Sequence, residues 1–346
     1  MKIGNARSIM AGFALAALFS TSALADGVVN IYTYRQPDLI KPVLDAFTAE
    51  TGIKTEVLFL DKGLEERILA EGENSPADVI MTVDIARLTS AKEKGVTQPL
   101  VDEEVNKLLP TEYRDPEGHW FGLTKRARVV YASKDRVKNT AITYADLADP
   151  KWKGKICMRS GQHDYNLALF SAAIAHWGPE KTEEWMKGLK ANLAKKPDGG
   201  DRPQAGAIAA GECDIAIGNT YYVGLMRNNE KDPKEKEWGN AINVLFPTFE
   251  NGLTHVNISG AALAKHSPNR EDAVKLIRFL ASHGAQQIYA EKNYEYPVEP
   301  GLEPSETVKA FGTLNADTLP LVEIAKGRKA ASEMVGRVGL DDGPSS

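Results

Sequence analysis

The stretch GVVNIYTYRQPDLIKPVLDAFTAETGIKTEVLFL, residues 27–60, decides the fold. It opens with the apolar residues Val28, Val29 and Ile31, which are typical of a buried strand. A helical pattern follows and ends at Gly52, because glycine is a common stop position for helices. Residues 53–60 then form a second strand pattern. A strand, a helix and a strand in this order predict a parallel βαβ unit.

The same alternation continues outward along the chain. Strand and helix patterns recur in ADVIMTVD and IARLTSAKEKG (residues 77–95), and again in KGKICMRS, YNLALFSAAIAHWG and CDIAIGN (residues 153–219). We therefore predict an α/β protein with two domains, each a mostly parallel sheet flanked by helices. FGLTKRARVVYAS, residues 121–133, is the candidate crossing strand between them. We expect a returning strand pair within residues 248–267 and one long amphipathic helix over residues 270–291.

The N-terminus predicts export. Lys2 and Arg7 precede an apolar run, residues 9–19, that is short for a membrane span, and Ala23-Leu24-Ala25 has the small-residue pattern of a cleavage site. We expect a signal peptide at residues 1–25 and a periplasmic mature protein; a membrane anchor is the alternative.

Charge and cysteine content narrow the function further. The chain carries 42 basic and 47 acidic residues, a net charge of −5, which disfavours nucleic acid and anionic membranes as partners. Its two cysteines, Cys157 and Cys213, are expected to form a disulfide in an oxidising compartment. Two buried free thiols are the alternative.

Tyrosines follow three of the predicted strands. Tyr34 comes after the first strand, Tyr165 after KGKICMRS, and the pair Tyr221-Tyr222 after CDIAIGN. Open parallel sheets bind ligands at the carboxyl ends of their strands. A phenolate is a hard oxygen donor that suits a hard cation such as Fe(III), and its formation releases a proton. The alternative is that the tyrosine pair packs in the core.

Several segments carry a resemblance to a known family. NIYTYRQPDLIKPVLDAFTAETGIKT, GHWFGLTKRARVVYAS and GNTYYVGLM resemble the periplasmic ferric-iron-binding proteins of ABC transporters. The resemblance implies a two-domain periplasmic-binding-protein fold, comparable to a transferrin lobe and hinged by crossing strands. It also implies a monomer that is not an enzyme, which captures Fe(III) and delivers it to an inner-membrane permease.

The resemblance also implies roles for individual residues. Tyr165, Tyr221 and Tyr222 match the family's iron tyrosines, and Tyr34 lies in the segment that supplies a further ligand in some members. Arg126, with Gln36, is expected to hold an accompanying anion such as carbonate. The loop after Tyr34 contains no histidine, unlike that of some members.

The expected domains are discontinuous. Domain one comprises residues 26–125 with about 250–295, and domain two comprises residues 126–249 with about 296–346. A binding protein for another small solute, such as a polyamine or an oxyanion, is the alternative function. The chain has no GxSxG motif or glycine-rich phosphate loop that would indicate an enzyme.

Overall fold

The computed structural model describes Met1 and residues 27–138 and 141–344. The predicted signal peptide, residues 1–25, lies outside the described residues apart from Met1. The strands are β1 (Val28–Thr33), β2 (Lys54–Phe59), β3 (Val79–Val83), β4 (Phe121–Ser133), β5 (Ile156–Cys157), β6 (Ile215–Asn219), β7 (Ile242–Leu245), β8 (Val256–Leu263) and β9 (Tyr296–Pro297).

Helices surround these strands. They are α1 (Pro37–Thr51), α2 (Leu64–Glu71), α3 (Ile85–Glu93), α4 (Glu103–Leu108), α5 (Asp164–Trp177), α6 (Pro179–Ala191), α7 (Asp201–Ala209), α8 (Thr220–Arg227), α9 (Pro233–Asn240), α10 (Arg270–Ala281), α11 (His283–Lys292), α12 (Glu306–Lys309) and α13 (Leu321–Val338). Within the described ranges, none of the helices has the combination of length and apolarity needed to cross a bilayer.

The first lobe is built on the strands that the opening sequence predicts. β1 lies between β2 and β3 and pairs with both in parallel, and β3 pairs antiparallel with β8. Val29 and Ile31 of β1 are fully buried in one core with Ile40 and Phe47 of α1. Burial of this apolar helix face against the sheet is what holds the βαβ unit together. We call this sheet and its helices lobe one.

The second lobe shares a strand with the first. β5 and β6 pair in parallel, and β6 and β7 pair antiparallel with the second half of β4. The first half of β4 pairs with β8 and β9. β4 therefore runs through both sheets, with the bounds predicted from its sequence. We call the β5–β6–β7 sheet and its helices lobe two.

Three details differ from the sequence predictions. Among the strands of the described residues, β1–β2, β1–β3 and β5–β6 pair in parallel and the other strand pairs are antiparallel, so the sheets are mixed, because the crossing strands enter them antiparallel. The stretch 248–267 supplies one strand, β8, rather than a pair. The predicted long helix is broken at Ser282, whose extended backbone (φ −68°, ψ 158°) ends α10 and whose hydroxyl accepts a hydrogen bond from the Ala285 amide to begin α11.

The predicted disulfide is confirmed. Cys157 and Cys213 are bonded, with their Cα atoms 5.9 Å apart. Cys157 ends β5 and Cys213 lies two residues before β6, so the bond joins the two parallel strands that lead to the predicted tyrosines.

Candidate metal centre

Two helix starts bring the tyrosines of lobe two together. Tyr165 lies in the first turn of α5, which His163 caps by accepting a hydrogen bond from the Tyr165 amide at its Nδ1 atom (3.2 Å). Tyr221 and Tyr222 lie in the first turn of α8, which follows β6 without a loop. Because β5 and β6 are neighbouring parallel strands, the elements that follow them meet at one edge of the sheet.

The three phenols form a compact cluster. The hydroxyl oxygens of Tyr165 and Tyr221 are 3.2 Å apart, and the ring centres of Tyr221 and Tyr222 are 4.2 Å apart. Neighbouring side chains would point to opposite faces in a strand, but here both belong to a helical turn and can face one cavity. The cavity has a volume of about 190 Å³, and all three tyrosines line it.

Lobe one supplies the opposite wall of this cavity. Tyr34 and Gln36, which were predicted from the sequence, both line it. The Tyr34 hydroxyl, however, donates to Glu65 Oε2 (2.5 Å) and accepts from the Leu64 amide (2.8 Å). Its oxygen is thus held within lobe one, and burial together with the Glu65 hydrogen bond raises the pKa of Tyr34.

Arg126 lies behind Tyr165. Its guanidinium carbon is 5.4 Å from the Tyr165 ring centre, and Nη1 is 3.4 Å from Ser259 Oγ. It lines a separate cavity of about 10 Å³, in which Tyr165, His255 and Asn219 also take part. Gln36 and Arg126 therefore face different cavities, with Tyr165 lining both.

Sequence reasoning missed Arg159, which lines the tyrosine cavity itself. Its guanidinium carbon is 5.3 Å from the Tyr165 ring centre, and Nη1 lies 3.4 Å from Asp201 Oδ1. Asp201 makes a closer ion pair, 2.5 Å, with Arg128, so one carboxylate serves two arginines. The Arg159 Nε atom is buried and has no hydrogen-bond partner among the described residues. Since Arg159 comes two residues after β5, inspection of strand ends for basic residues would have found it.

The electrostatics favour the neutral phenols of Tyr221 and Tyr222. Burial raises the pKa of Tyr221 well above its ordinary value, and Tyr165 and Tyr222 raise it further. Burial also raises the pKa of Tyr222. Burial lowers the pKa of Arg159, but Asp201 and the three tyrosines outweigh this and shift it upward. A permanent positive charge therefore lies beside the neutral phenols of Tyr221 and Tyr222, and a bound cation would favour their deprotonation.

Metal sites in proteins are commonly built from His, Cys, Asp and Glu side chains. Within residues 27–138 and 141–344, no group of three or more of these side chains is arranged to hold a metal ion.

Comparison with known proteins places the chain in a family. Residues 74–317 match the family described as bacterial extracellular solute-binding protein. The chain belongs to this family. It is therefore a binding protein and not an enzyme. The iron uptake protein A1 of Synechocystis is 42% identical over 314 residues, which cover 90% of this chain and 87% of that protein.

Solved structures agree with the fold. The apo ferric ion-binding protein A of Pasteurella haemolytica is 50% identical, with a TM-score of 0.87 over 91% of this chain and 99% of that one. A Trichodesmium protein, solved in complex with iron and citrate ligands, is 40% identical, with a TM-score of 0.84 over 91% and 100% of the two chains. The resemblance to ferric-iron-binding proteins and the two-lobe α/β fold, both expected from the sequence, are confirmed.

Proposed function

We propose that this solute-binding protein captures Fe(III) as its substrate in the cleft between the lobes and delivers it to an ABC permease in the inner membrane. The observation that carries the proposal is the convergence of Tyr165, Tyr221 and Tyr222 of lobe two on one cavity, with two of their oxygens 3.2 Å apart. The iron uptake and ferric-binding names of its relatives support the same substrate.

The chemistry of the cluster suits a trivalent ion. Three phenolates balance the charge of Fe(III), and hard oxygen donors are the ligands that hard cations prefer. All three proposed ligands belong to lobe two, so iron can load before lobe one closes. Tyr34 becomes the fourth ligand only if its hydroxyl breaks the hydrogen bond to Glu65. Tyr34 therefore binds iron after the three tyrosines of lobe two.

An accompanying oxyanion, such as carbonate, completes the proposed site. Gln36 and Arg159 line the tyrosine cavity, and Arg126 adds positive charge from behind Tyr165. An arginine offers a planar set of donors that matches a carboxylate-like anion. The unpartnered Nε of Arg159, a donor within the described part of the chain, supports such a role.

The wider role follows the family. We propose a periplasmic monomer released from a signal peptide, residues 1–25, with residues 26–125 and about 250–295 forming domain one. Residues 126–249 and about 296–346 would form domain two, consistent with the packing of α13 against α5. β4, which runs through both sheets, would act as the hinge, with β8 paired along its first half.

The direct test is metal analysis together with the visible spectrum. Protein purified without chelators is expected to contain one iron per chain and to be coloured, because ferric phenolates absorb visible light through charge transfer. A polyamine or oxyanion complex would be colourless. A colourless protein that ignores added ferric citrate would contradict the proposal.

A further inference from the structure

An ion pair bridges the two lobes beside the tyrosine cluster. Arg87, in α3 of lobe one, donates from Nε to Asp164 Oδ2 of lobe two (2.7 Å), and its Nη2 is 2.5 Å from the same oxygen. Both residues line the tyrosine cavity. Asp164 is the first residue of α5 and directly precedes Tyr165. This contact therefore joins lobe one to the ligand-bearing turn of lobe two.

The same arginine also contacts the tyrosine of lobe one. The guanidinium carbon of Arg87 lies 4.1 Å from the ring centre of Tyr34, within the range of a cation–π interaction. Arg87 thus lies between Tyr34 and Asp164 and holds each of them in place. Its side chain is 24% exposed and that of Asp164 is 9% exposed, so the pair is largely shielded from solvent when the lobes are together.

Asp164 has a second partner within its own lobe. Arg328, in α13, donates from Nη2 to Asp164 Oδ1 (2.5 Å), and we place α13 with lobe two because it packs more extensively against α5 than against α3 of lobe one. When the lobes separate, Asp164 keeps Arg328, and Arg87 is free to be hydrated. Breaking a buried ion pair is costly when it leaves a buried charge without a partner. Opening avoids this cost because Asp164 keeps its ion pair with Arg328. The contact can form and break reversibly.

Resting on the proposed function, we propose that Arg87 is a positioning residue that fastens the closed lobes over bound iron. It does not coordinate the metal. Its ion pair with Asp164 slows the opening that releases iron, its packing on Tyr34 positions the guanidinium within lobe one, and separation of the lobes at the permease would break the ion pair.

The test measures iron release from Arg87→Ala by an excess of a ferric chelator. We expect the dissociation rate to rise about tenfold, a size of effect that the loss of one largely shielded ion pair supports. The charge-transfer band should keep its position because the phenolate ligands remain. Small-angle scattering of the iron-loaded variant should show a larger radius of gyration than the wild type. High salt should accelerate release from the wild type much more than from the variant.

Two further variants keep the inference falsifiable. Arg328→Ala removes the other partner of Asp164 but leaves the contact between the lobes, so its release rate should change much less. If the two residues act as a pair, the effects of Arg87→Ala and Asp164→Asn on the release rate, each measured alone, should not add in the double variant. Release at the wild-type rate from Arg87→Ala, or equal effects of the two arginine variants, would overturn the inference while leaving iron binding intact. A wild type that fails to bind ferric iron would instead overturn the proposed function.

Discussion

The hydroxyl oxygens of Tyr165 and Tyr221 lie 3.2 Å apart, although 56 residues separate them in the chain. They belong to helices that follow two neighbouring parallel strands, and the Cys157–Cys213 disulfide links the same strands. The position of the tyrosine cluster is therefore set by the sheet and not by any local motif.

Removal of the phenol oxygens should abolish tight iron binding. Tyr165→Phe, Tyr221→Phe and Tyr222→Phe should each weaken ferric affinity by more than about 100-fold, since changes even beyond the direct ligands of a metal cost about 10- to 100-fold. Each ring stays in place, so the apo protein should lose no more than about 1 kcal/mol, the worth of one hydrogen bond. Chelator competition and thermal melts of the apo variants provide the measurement.

Tyr113→Phe is the matched control for this series, because Tyr113 lines a different cavity. It should bind iron like the wild type. If the three cluster variants instead lose stability and keep their affinity, the tyrosines belong to the core and the ligand assignment is wrong.

Tyr34→Phe should have a smaller effect than the three changes in lobe two. The Tyr34 hydroxyl is hydrogen-bonded to Glu65, and the proposed site holds iron with the three phenols of lobe two before Tyr34 joins it. We expect a loss of about tenfold or less, with a changed intensity of the charge-transfer band if Tyr34 joins the site on closure. A loss as large as that of Tyr221→Phe would show that loading requires both lobes.

The effect of replacing Arg126 or Arg159 on iron retention should depend on the anion in the buffer. Arg126→Ala and Arg159→Ala should each weaken iron retention by about 10- to 100-fold in carbonate buffer, with the fold intact. The difference from the wild type should shrink when carbonate and similar anions are removed. We expect the stronger anion dependence for Arg159, because it lines the tyrosine cavity. Unchanged affinity in both buffers would assign a purely structural role to the arginine concerned.

Iron binding should release protons. Because burial raises the pKa of Tyr221 and Tyr222, both are protonated in the apo protein at neutral pH and must ionise when they bind iron. Mass action then makes the affinity fall as the pH falls, by about tenfold per pH unit for each proton released. The number of protons released per bound iron is measured by adding ferric citrate to the protein in weakly buffered solution and subtracting a blank without protein. A value near zero would contradict phenolate ligation.

The disulfide should contribute to the stability of lobe two. Closing a loop between residues 56 apart is worth about 4 kcal/mol in the chain-entropy account. Replacing both cysteines by alanine should lower the free energy of unfolding by about that amount, as measured by denaturant titration. The denatured, unreduced wild type should show no titratable thiol, and two free thiols would contradict the bond.

The sequence by itself determined the main outline of this protein. The alternation of strand and helix patterns in residues 27–95 predicted the first strands and helices of lobe one, and the strand-like stretch at residues 121–133 predicted β4. These elements can be predicted from the sequence because buried apolar residues recur along the chain with the geometric repeat of a helix or a strand. Tyr165, Tyr221 and Tyr222 were identified because strand ends form the binding edge of such sheets, and because their motifs resemble those of ferric-binding proteins.

Only the tertiary structure decided how the side chains of the cleft are partnered. Tyr34 is bonded to Glu65, 31 residues away, and Arg87 is paired with Asp164, 77 residues away. The placement of Arg126 behind Tyr165, and of Arg159 beside the cluster, likewise depends on how distant strands are aligned. A hydrogen bond or an ion pair requires two specific atoms within about 3 Å, and a local sequence pattern carries no information about which distant atom arrives there.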